Sequence, residues 1–346
     1  MTVNVLVIGV GGTTSQGILK ALELSDVPMR VYGACVSPRA LGLYAVDEAH
    51  ICPVASDPDF TLWMRRFVAE HDIHIVYSGV EEVLRVLADM QRDLRHMGCE
   101  TIVSDAGTLH VCDHKTTTCK WLRAWGLNHP DFANVNDADG VARLVTRYGY
   151  PLAAKPWHGK GSKGFIILHG DDDLARVPQG YVIQEYLGHV EHADEYTVGG
   201  FVGRDGVTHS VVMQRTLQDG LSVWADAGDY PDVREEAEKV IRQLRPYGPC
   251  NVQMRRHNGR VVTFEINARY SGTTPIRAAL GWNDVDAALR HFVLHEPVNL
   301  PDHVRGIAAR YWQEAYLAPE DVQALARNGT AQPQRVRLSA TERVKA

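Results

Sequence analysis

The stretch VVTFEINARYSG, Val261 to Gly272, decides how this chain is read. It begins as an apolar strand and then spaces Glu265, Asn267 and Arg269 two residues apart. Alternate residues of a strand share a face. One face therefore carries a carboxylate, an amide and a guanidinium, and Phe264, Ile266 and Ala268 are expected on the other. Just upstream, CNVQMRRHNGR supplies an antiparallel partner, with Asn258-Gly259 as a tight hairpin turn. If that turn sets the register, Gln253 joins the same face. Hard oxygen donors of this kind suit magnesium, which combines carboxylates with phosphate oxygens. Arg269, beyond them, is placed to neutralise a phosphoryl group in transfer. A structural ion pair would need no amides, so the group is read as a metal–phosphate site.

Three stretches further out suit a nucleotide, each with a plainer alternative. KPWHGKGSKG, Lys155 to Gly164, does not fit G-x-x-x-x-G-K-[ST]. A strand lysine followed by a glycine-rich hairpin loop can still cover phosphates, with Lys155 and Lys163 supplying charge. The alternative is a surface hairpin with exposed lysines. In VIQEYL, Glu185 and Leu187 bracket Tyr186 where a strand meets a connector. That edge could give a base its backbone donor–acceptor pair and apolar slot, or be an ordinary strand. DEYTVGGF sets Glu195 at the start of an apolar strand, to bind a ribose diol or to sit at an exposed edge.

The first third alternates strands (VNVLVIG, RVYGACV, IHIVYSG, ETIVSD) with helical segments (SQGILKALEL, DFTLWMRRFVAEH, EEVLRVLADMQRDLRHMG). Such alternation predicts βαβ units and a parallel sheet covered on both faces. Ligands of such sheets lie at the carboxyl ends of the strands, here Gly9–Ser15 and Ser78–Glu82. GVGGTTSQG fits a dinucleotide fingerprint at Gly9 and Gly11 only, since position 14 is Thr14 and the second strand ends without an acid. The glycines permit a tight turn, and the helix-start amides with Thr13, Thr14 and Ser15 could hold a substrate anion. Glu81 could hold an ammonium group or complement its helix N-terminus. From about Asp113 the chain changes to a mixed, hairpin-rich pattern, with a late strand expected in RGIAARYWQEAYL.

With 346 residues, two or three domains are expected. A net charge of −6 argues against a broad nucleic-acid surface. No apolar run is long enough to span a bilayer, and the N-terminus lacks a basic region before its apolar run, so a signal peptide is not expected. Cys35, Cys52, Cys99, Cys112, Cys119 and Cys250 form no C-x-x-C pair, which fits a reduced, cytoplasmic protein with small core cysteines. His189 and His192 find no supporting ligand set and are read as solvated or core residues.

From about Asp113 to Gly281 the chain resembles the ATP-grasp enzymes. It is most like the halves of the carbamoyl phosphate synthetase large subunit and is similar also to D-alanine–D-alanine ligase and related amino-acid ligases. The resemblance is carried by DHK at Asp113–Lys115, AKPWHGKGSKG, VIQEYL, DEYTVGGF and CNVQMRRHNGRVVTFEINARYSG, in that order. It implies α/β and α+β architecture, with an N-terminal parallel βαβ (Rossmann-like) domain at 1–112. A two-lobed ATP-grasp follows, its small lobe with the phosphate lid at 113–188 and its large lobe at 189–330, before a flexible tail at 331–346. It also implies ATP with Mg2+ or Mn2+. Lys115 and Lys155 would bind phosphates, and Ser162, Lys163 and Gly164 would form the lid. Glu185, Tyr186 and Leu187 would meet adenine and Glu195 the ribose. Glu265 and Asn267 would hold the metal, with Gln253 a further ligand. Arg269 would stabilise an acyl phosphate, and Arg215 would touch the γ-phosphate or the carboxylate. Thr13, Thr14, Glu81, Ser271, Gly272 and Thr273 would line the substrate pocket, and Arg277 would pair a second carboxylate or sit on the surface. The chain has one grasp unit and no glutaminase sequence, so the expected activity is a stand-alone carboxylate–amine ligase acting on small molecules. A bicarbonate-using relative and a non-catalytic ATP-binding regulator are the alternatives. A homodimer is a family-level expectation.

Overall fold

Strand β1 (Val3–Ile8) is apolar at nearly every position and buried on both faces, as a central parallel strand must be. It is followed by α1 (Thr13–Leu22), β2 (Met29–Cys35), β3 (Glu48–Ile51), α2 (Phe60–Glu70), β4 (Ile75–Ser78), α3 (Glu81–His96) and β5 (Glu100–Thr101). In this computed structural model, which describes residues 2–159, 163–188 and 194–338, those strands pair in parallel in the order β3-β2-β1-β4-β5. Helix α3 buries Val83, Leu84, Leu87, Met90 and Leu94, the stripe its three-and-four spacing predicts. Gly9, at φ 73°, makes the turn from β1 into α1, and a Cβ there would lie 2.3 Å from a methyl of Val80. The rim at Gly9–Ser15 is thus fastened to the rim at Ser78–Glu82. The Ser15 hydroxyl completes the fastening by donating to the Ile8 carbonyl (2.9 Å) and accepting from the Gly79 amide (3.0 Å).

Helices α4 (Ala106–Asp113) and α5 (Lys115–Ala124) lead to β6 (Phe132–Asn134), α6 (Ala138–Tyr148), β7 (Leu152–Pro156), β8 (Ile166–Leu168), α7 (Asp171–Leu174) and β9 (Tyr181–Glu185). The four strands form a small antiparallel sheet in the order β6-β9-β7-β8. Strands β10 (Glu195–Val202), β11 (Thr208–Gln218) and β12 (Leu221–Ala227) follow, then α8 (Pro231–Leu244), β13 (Gly248–His257) and β14 (Arg260–Asn267). After α9 (Thr274–Ala279) and α10 (Asp284–Phe292) comes β15 (Gly306–Ala309), which completes a larger sheet in the order β14-β13-β10-β11-β12-β15. Helix α8 covers one face of it, and Leu122 of α5 packs into the same core.

The β13–β14 hairpin turns at Asn258 and Gly259, both at positive φ (49° and 75°), as a two-residue turn matched to strand twist requires. Gln253 pairs directly with Glu265 and Asn251 with Asn267. The register then shifts between Gln253 and Met254, whose partner is Thr263, leaving Phe264 as the extra residue of a β-bulge. This corrects the strict alternation expected for Phe264, which faces the same cavity as Glu265.

The large sheet and the N-terminal domain share one apolar core, in which Val3, Ile18 and Tyr77 meet Tyr270, Trp282 and Phe292. Gly17 of α1 lies against Pro275 of α9, where a Cβ would come within 2.8 Å of the proline ring. The last elements, α11 (Pro319–Asn328) and β16 (Thr330–Ala331), return to the first sheet, where β16 pairs antiparallel with β3. Leu325 is fully buried, and the Val336 amide donates to the Tyr44 carbonyl (2.7 Å). The flexible tail expected from 331 is therefore corrected for its described part, 331–338, which is paired and packed. Among the described residues no helix is long and apolar enough to cross a membrane.

Candidate functional site

A cavity of about 350 Å³ separates the small sheet from the large one, within the size range of ligand pockets. Lys155 of β7 and Gln184 of β9 face it from the small sheet, and Gln253, Arg255, Phe264 and Glu265 from the β13–β14 hairpin. Lys163 and Phe165 border it from the glycine-rich loop, and Tyr186 and Leu187 from the connector after β9. The bulge explains why an aromatic ring and a carboxylate adjacent in sequence both line it.

The Lys155 ammonium lies over two rings, 5.8 Å from the centre of Phe165 and 5.1 Å from that of Phe264. Its enclosure by protein lowers its pKa to about 8, against the opposing pull of Glu265. Glu265 shows the converse. Burial opposes its ionisation, but Lys115, the Asn267 amide, Lys155 and Arg215 together hold its carboxyl below the usual value. Its Oε1 accepts from Gln253 Nε2 (3.1 Å) and from Asn267 Nδ2 (3.0 Å). No described residue donates to its Oε2 or to Asn267 Oδ1, and an amide can exchange its N and O by a flip. A half-buried, ionised carboxylate with an open oxygen, beside an amide oxygen, fits the donor chemistry of magnesium. Gln253 is placed differently: its Oε1 already accepts from Arg215 (2.7 Å), so Glu265 and Asn267 remain as the better pair of donors.

A second, smaller cavity of about 40 Å³ lies between α3 of the N-terminal domain and the end of β14, bordered by Glu81, Arg85, Asp113, Asn267 and Arg269. Lys115, Gly159 and Glu265 line both cavities, so the two meet at these residues. There Lys115 Nζ donates to the Gly159 carbonyl (3.0 Å). Arg269 bonds Glu81 at 2.6 Å, and Arg85 bonds Asp113 at 2.7 Å. Both proposed uses of Glu81 thus meet a third: it lies in the first turn of α3 and neutralises Arg269 across the domain junction.

The other expected residues divide as follows. Glu185, Tyr186 and Leu187 all border the cavity where β9 meets the connector, and the Glu185 carboxylate, only 2% exposed, bonds Arg260 (2.6 Å). Glu195 is held by Arg215 (2.8 Å) and Arg255, which together outweigh burial and keep its carboxyl below the usual value. Arg215 is itself buried among Glu195 and Gln253 and does not line the cavity. Gly164, at φ 77°, adjoins the Tyr181 hydroxyl, while Ser162, His189 and His192 lie outside the described residues. Thr13 and Thr14 open α1 at the carboxyl rim, and neither they nor Ser271, Gly272 and Thr273 border either cavity. Ser271 Oγ and Thr273 Oγ1 instead accept from the buried Arg277, at 3.1 and 3.5 Å. Arg277 is neither on the surface nor open to a substrate: it is fully buried and bidentate on Asp284 (3.1 and 2.6 Å). Arg255 and Phe165 were not anticipated. Arg255 was findable, since it follows Gln253 by two on the same strand face; Phe165 carried no signal beyond adjoining the lid.

The chain matches a family model described as ATP-grasp in the biosynthetic pathway with Ter operon over residues 179–315. It is 24% identical over 227 residues to the carbamoyl phosphate synthase large chain of Halobacterium salinarum, covering 58% of this chain and 21% of that protein. With the same protein from Pseudomonas syringae it shares 26% over 202 residues, covering 54% and 19%. The chain thus spans about a fifth of the length of these curated relatives. N5-carboxyaminoimidazole ribonucleotide synthetase from Thermus thermophilus superimposes with a TM-score of 0.68 at 17% identity, covering 88% of this chain and 81% of that one. The biotin carboxylase domain of the Hydrogenobacter thermophilus 2-oxoglutarate carboxylase, solved with MgADP, ADP and bicarbonate, gives 0.69 at 15%, covering 89% and 73%. These structural likenesses establish the fold, a parallel βαβ domain followed by a two-lobed grasp. The chain thus has the ATP-grasp fold, and residues 179–315 match an ATP-grasp family model.

Proposed function

We propose that the chain is an ATP-dependent ligase that activates a carboxylate as an acyl phosphate and joins it to an amine, releasing ADP and phosphate. The observation that carries this is the meeting of the two cavities at Lys115, Gly159 and Glu265. A nucleotide in the larger cavity would direct its terminal phosphate to that junction, where an acid in the smaller one could attack it. Phosphoryl transfer is catalysed mainly by positioning and charge neutralisation. Lys115 and Lys155 would neutralise the phosphate oxygens that repel the attacking carboxylate. Glu265 and Asn267 would hold Mg2+, which when bound offsets charge on the phosphates. Lys163 and Gly164 would cover the phosphates and exclude water, to which an acyl phosphate is exposed. Arg269, released from Glu81, would face the acyl phosphate before the amine nitrogen attacks its carbon and phosphate leaves. Glu195, between Arg215 and Arg255, would receive the ribose, and Arg215 would act by holding Glu195 and Gln253. Leu187 and Tyr186 would border the base. The acid and amine would enter between the N-terminal domain and the grasp, near Thr13, Thr14, Ser271, Gly272 and Thr273.

The size of the smaller cavity supports a second reading. At about 40 Å³ it has room for roughly three waters, which suits a compact acid such as bicarbonate better than an amino acid. A phosphate-release screen over carboxylate and amine pairs, with product masses, tests both. Release that needs both partners and yields their amide supports ligation. Release with bicarbonate and no amine supports the second reading. Tight MgATP binding with no release under any pairing contradicts both.

A further inference from the structure

In the N-terminal domain, among residues that border neither cavity, Glu48 and His50 lie two apart on β3 and so share a face. His71, the residue that ends α2, packs onto that face. One ligand atom from each lies within 4.8 Å of the other two, and the site is half-buried. Glu48 Oε1 and His50 Nε2 are 2.9 Å apart, and the two imidazole centres are separated by 5.1 Å. Two imidazoles on one tetrahedral zinc, with bonds of 2.0–2.1 Å, hold their ring centres about 5 Å apart. The second carboxylate oxygen, Glu48 Oε2, accepts from Arg30 at 2.7 Å. A metal-bound carboxylate is commonly oriented by just such an outer donor. Tyr32 and Phe67 wall the cluster, with ring centres 5.0 and 4.3 Å from that of His71.

We propose that Glu48, His50 and His71 form a zinc site on the N-terminal domain, separate from the magnesium–nucleotide centre. Two imidazoles and one carboxylate are a zinc donor set, and the half-exposed cluster leaves the fourth position to water. Binding releases the proton of the hydrogen bond between Glu48 and His50 to solvent and replaces that bond with bonds to the metal. It ties β3, whose other neighbour is the returning strand β16, to the end of α2. The plainer account is a hydrogen-bonded histidine in an aromatic cluster, and the two accounts diverge once metal is added.

The test is titration of the chelator-stripped full chain with Zn2+ in competition with a chromogenic chelator, together with thermal melts. The expected result is one equivalent bound more tightly than about 1 μM, with a rise in Tm because only the native state holds the set. His50→Ala and His71→Ala should each weaken that binding at least tenfold and abolish the rise, whereas His74→Ala, outside the set, should leave both unchanged. Zinc bound equally by the wild type and both variants overturns the proposal, as does no binding below about 100 μM. Should either variant fail to fold, zinc-edge X-ray absorption on the wild type decides. Two imidazole ligands with oxygen support the site; sulfur ligands or no imidazole signature overturn it.

Discussion

Lys155 holds its charge against its surroundings. Two aromatic rings and the cavity wall enclose its ammonium, and burial brings its pKa down to about 8. Its unfolded value is near 10.4, so between about pH 8 and 10.4 the unfolded chain binds more protons and stability rises with pH. The cost of this half-buried cation is thus complete below pH 8 and relieved above it. Lys155→Met should flatten that rise in a pH series of chemical denaturations. The same variant should lower the rate of ADP formation at least about a hundredfold, as loss of one preorganised charge at developing negative charge does. A bound nucleotide's phosphates should push the lysine pKa back up. Calorimetry at pH 9 in buffers of differing ionisation heat should therefore show proton uptake on MgADP binding in the wild type and none from this group in Lys155→Met.

At the scale of elements, two junctions hold the site in register. The β1–α1 turn depends on Gly9, which combines positive φ with a neighbour 2.3 Å from where a Cβ would stand. Gly9→Ala should cost about 1–3 kcal/mol in denaturant unfolding. The loop after β14 is bound by Arg277, fully buried on Asp284 and on the Ser271 and Thr273 hydroxyls. Arg277→Leu leaves the buried Asp284 carboxyl without its partner, and should cost about 3–5 kcal/mol; replacing both partners by apolar residues should recover much of it. These elements also mark where sequence reasoning succeeded and where it stopped. The Asn-Gly hairpin turn was legible, but the register it sets would by itself place Gln253 opposite Phe264; the bulge brings Glu265 there instead. The bulge at Phe264 was not legible, because nothing in a run of apolar residues announces an extra backbone step. The pairing of Glu195 with Arg215 and Arg255 joins three strands, and the burial of Arg277 depends on helices that meet only in the folded state. In sequence nothing shows these pairings, so Glu195 and Arg215 read as ligand contacts and Arg277 as the partner of a second carboxylate or a surface charge.

For the molecule as a whole, the N-terminal domain and the grasp share one core, and the chain returns to its own beginning through α11 and β16. Alternating strands and helices made the parallel domain legible, but a two-residue strand paired with a partner far back in the chain left no local pattern. Leu325→Ala, in that returning segment, should cost about 2–5 kcal/mol and lower Tm of the N-terminal domain and grasp together; separate transitions would show that the core does not couple them. The central claim is that the β13–β14 hairpin holds the divalent cation and so turns a bound nucleotide toward the junction of the two cavities. A crystal structure with ADP and Mg2+ tests it most directly. The account predicts a cation coordinated by Glu265, Asn267 and the nucleotide phosphates, with Lys115 and Lys155 on those phosphates. A cation bound elsewhere, or Glu265 turned to solvent with the nucleotide in place, would contradict it.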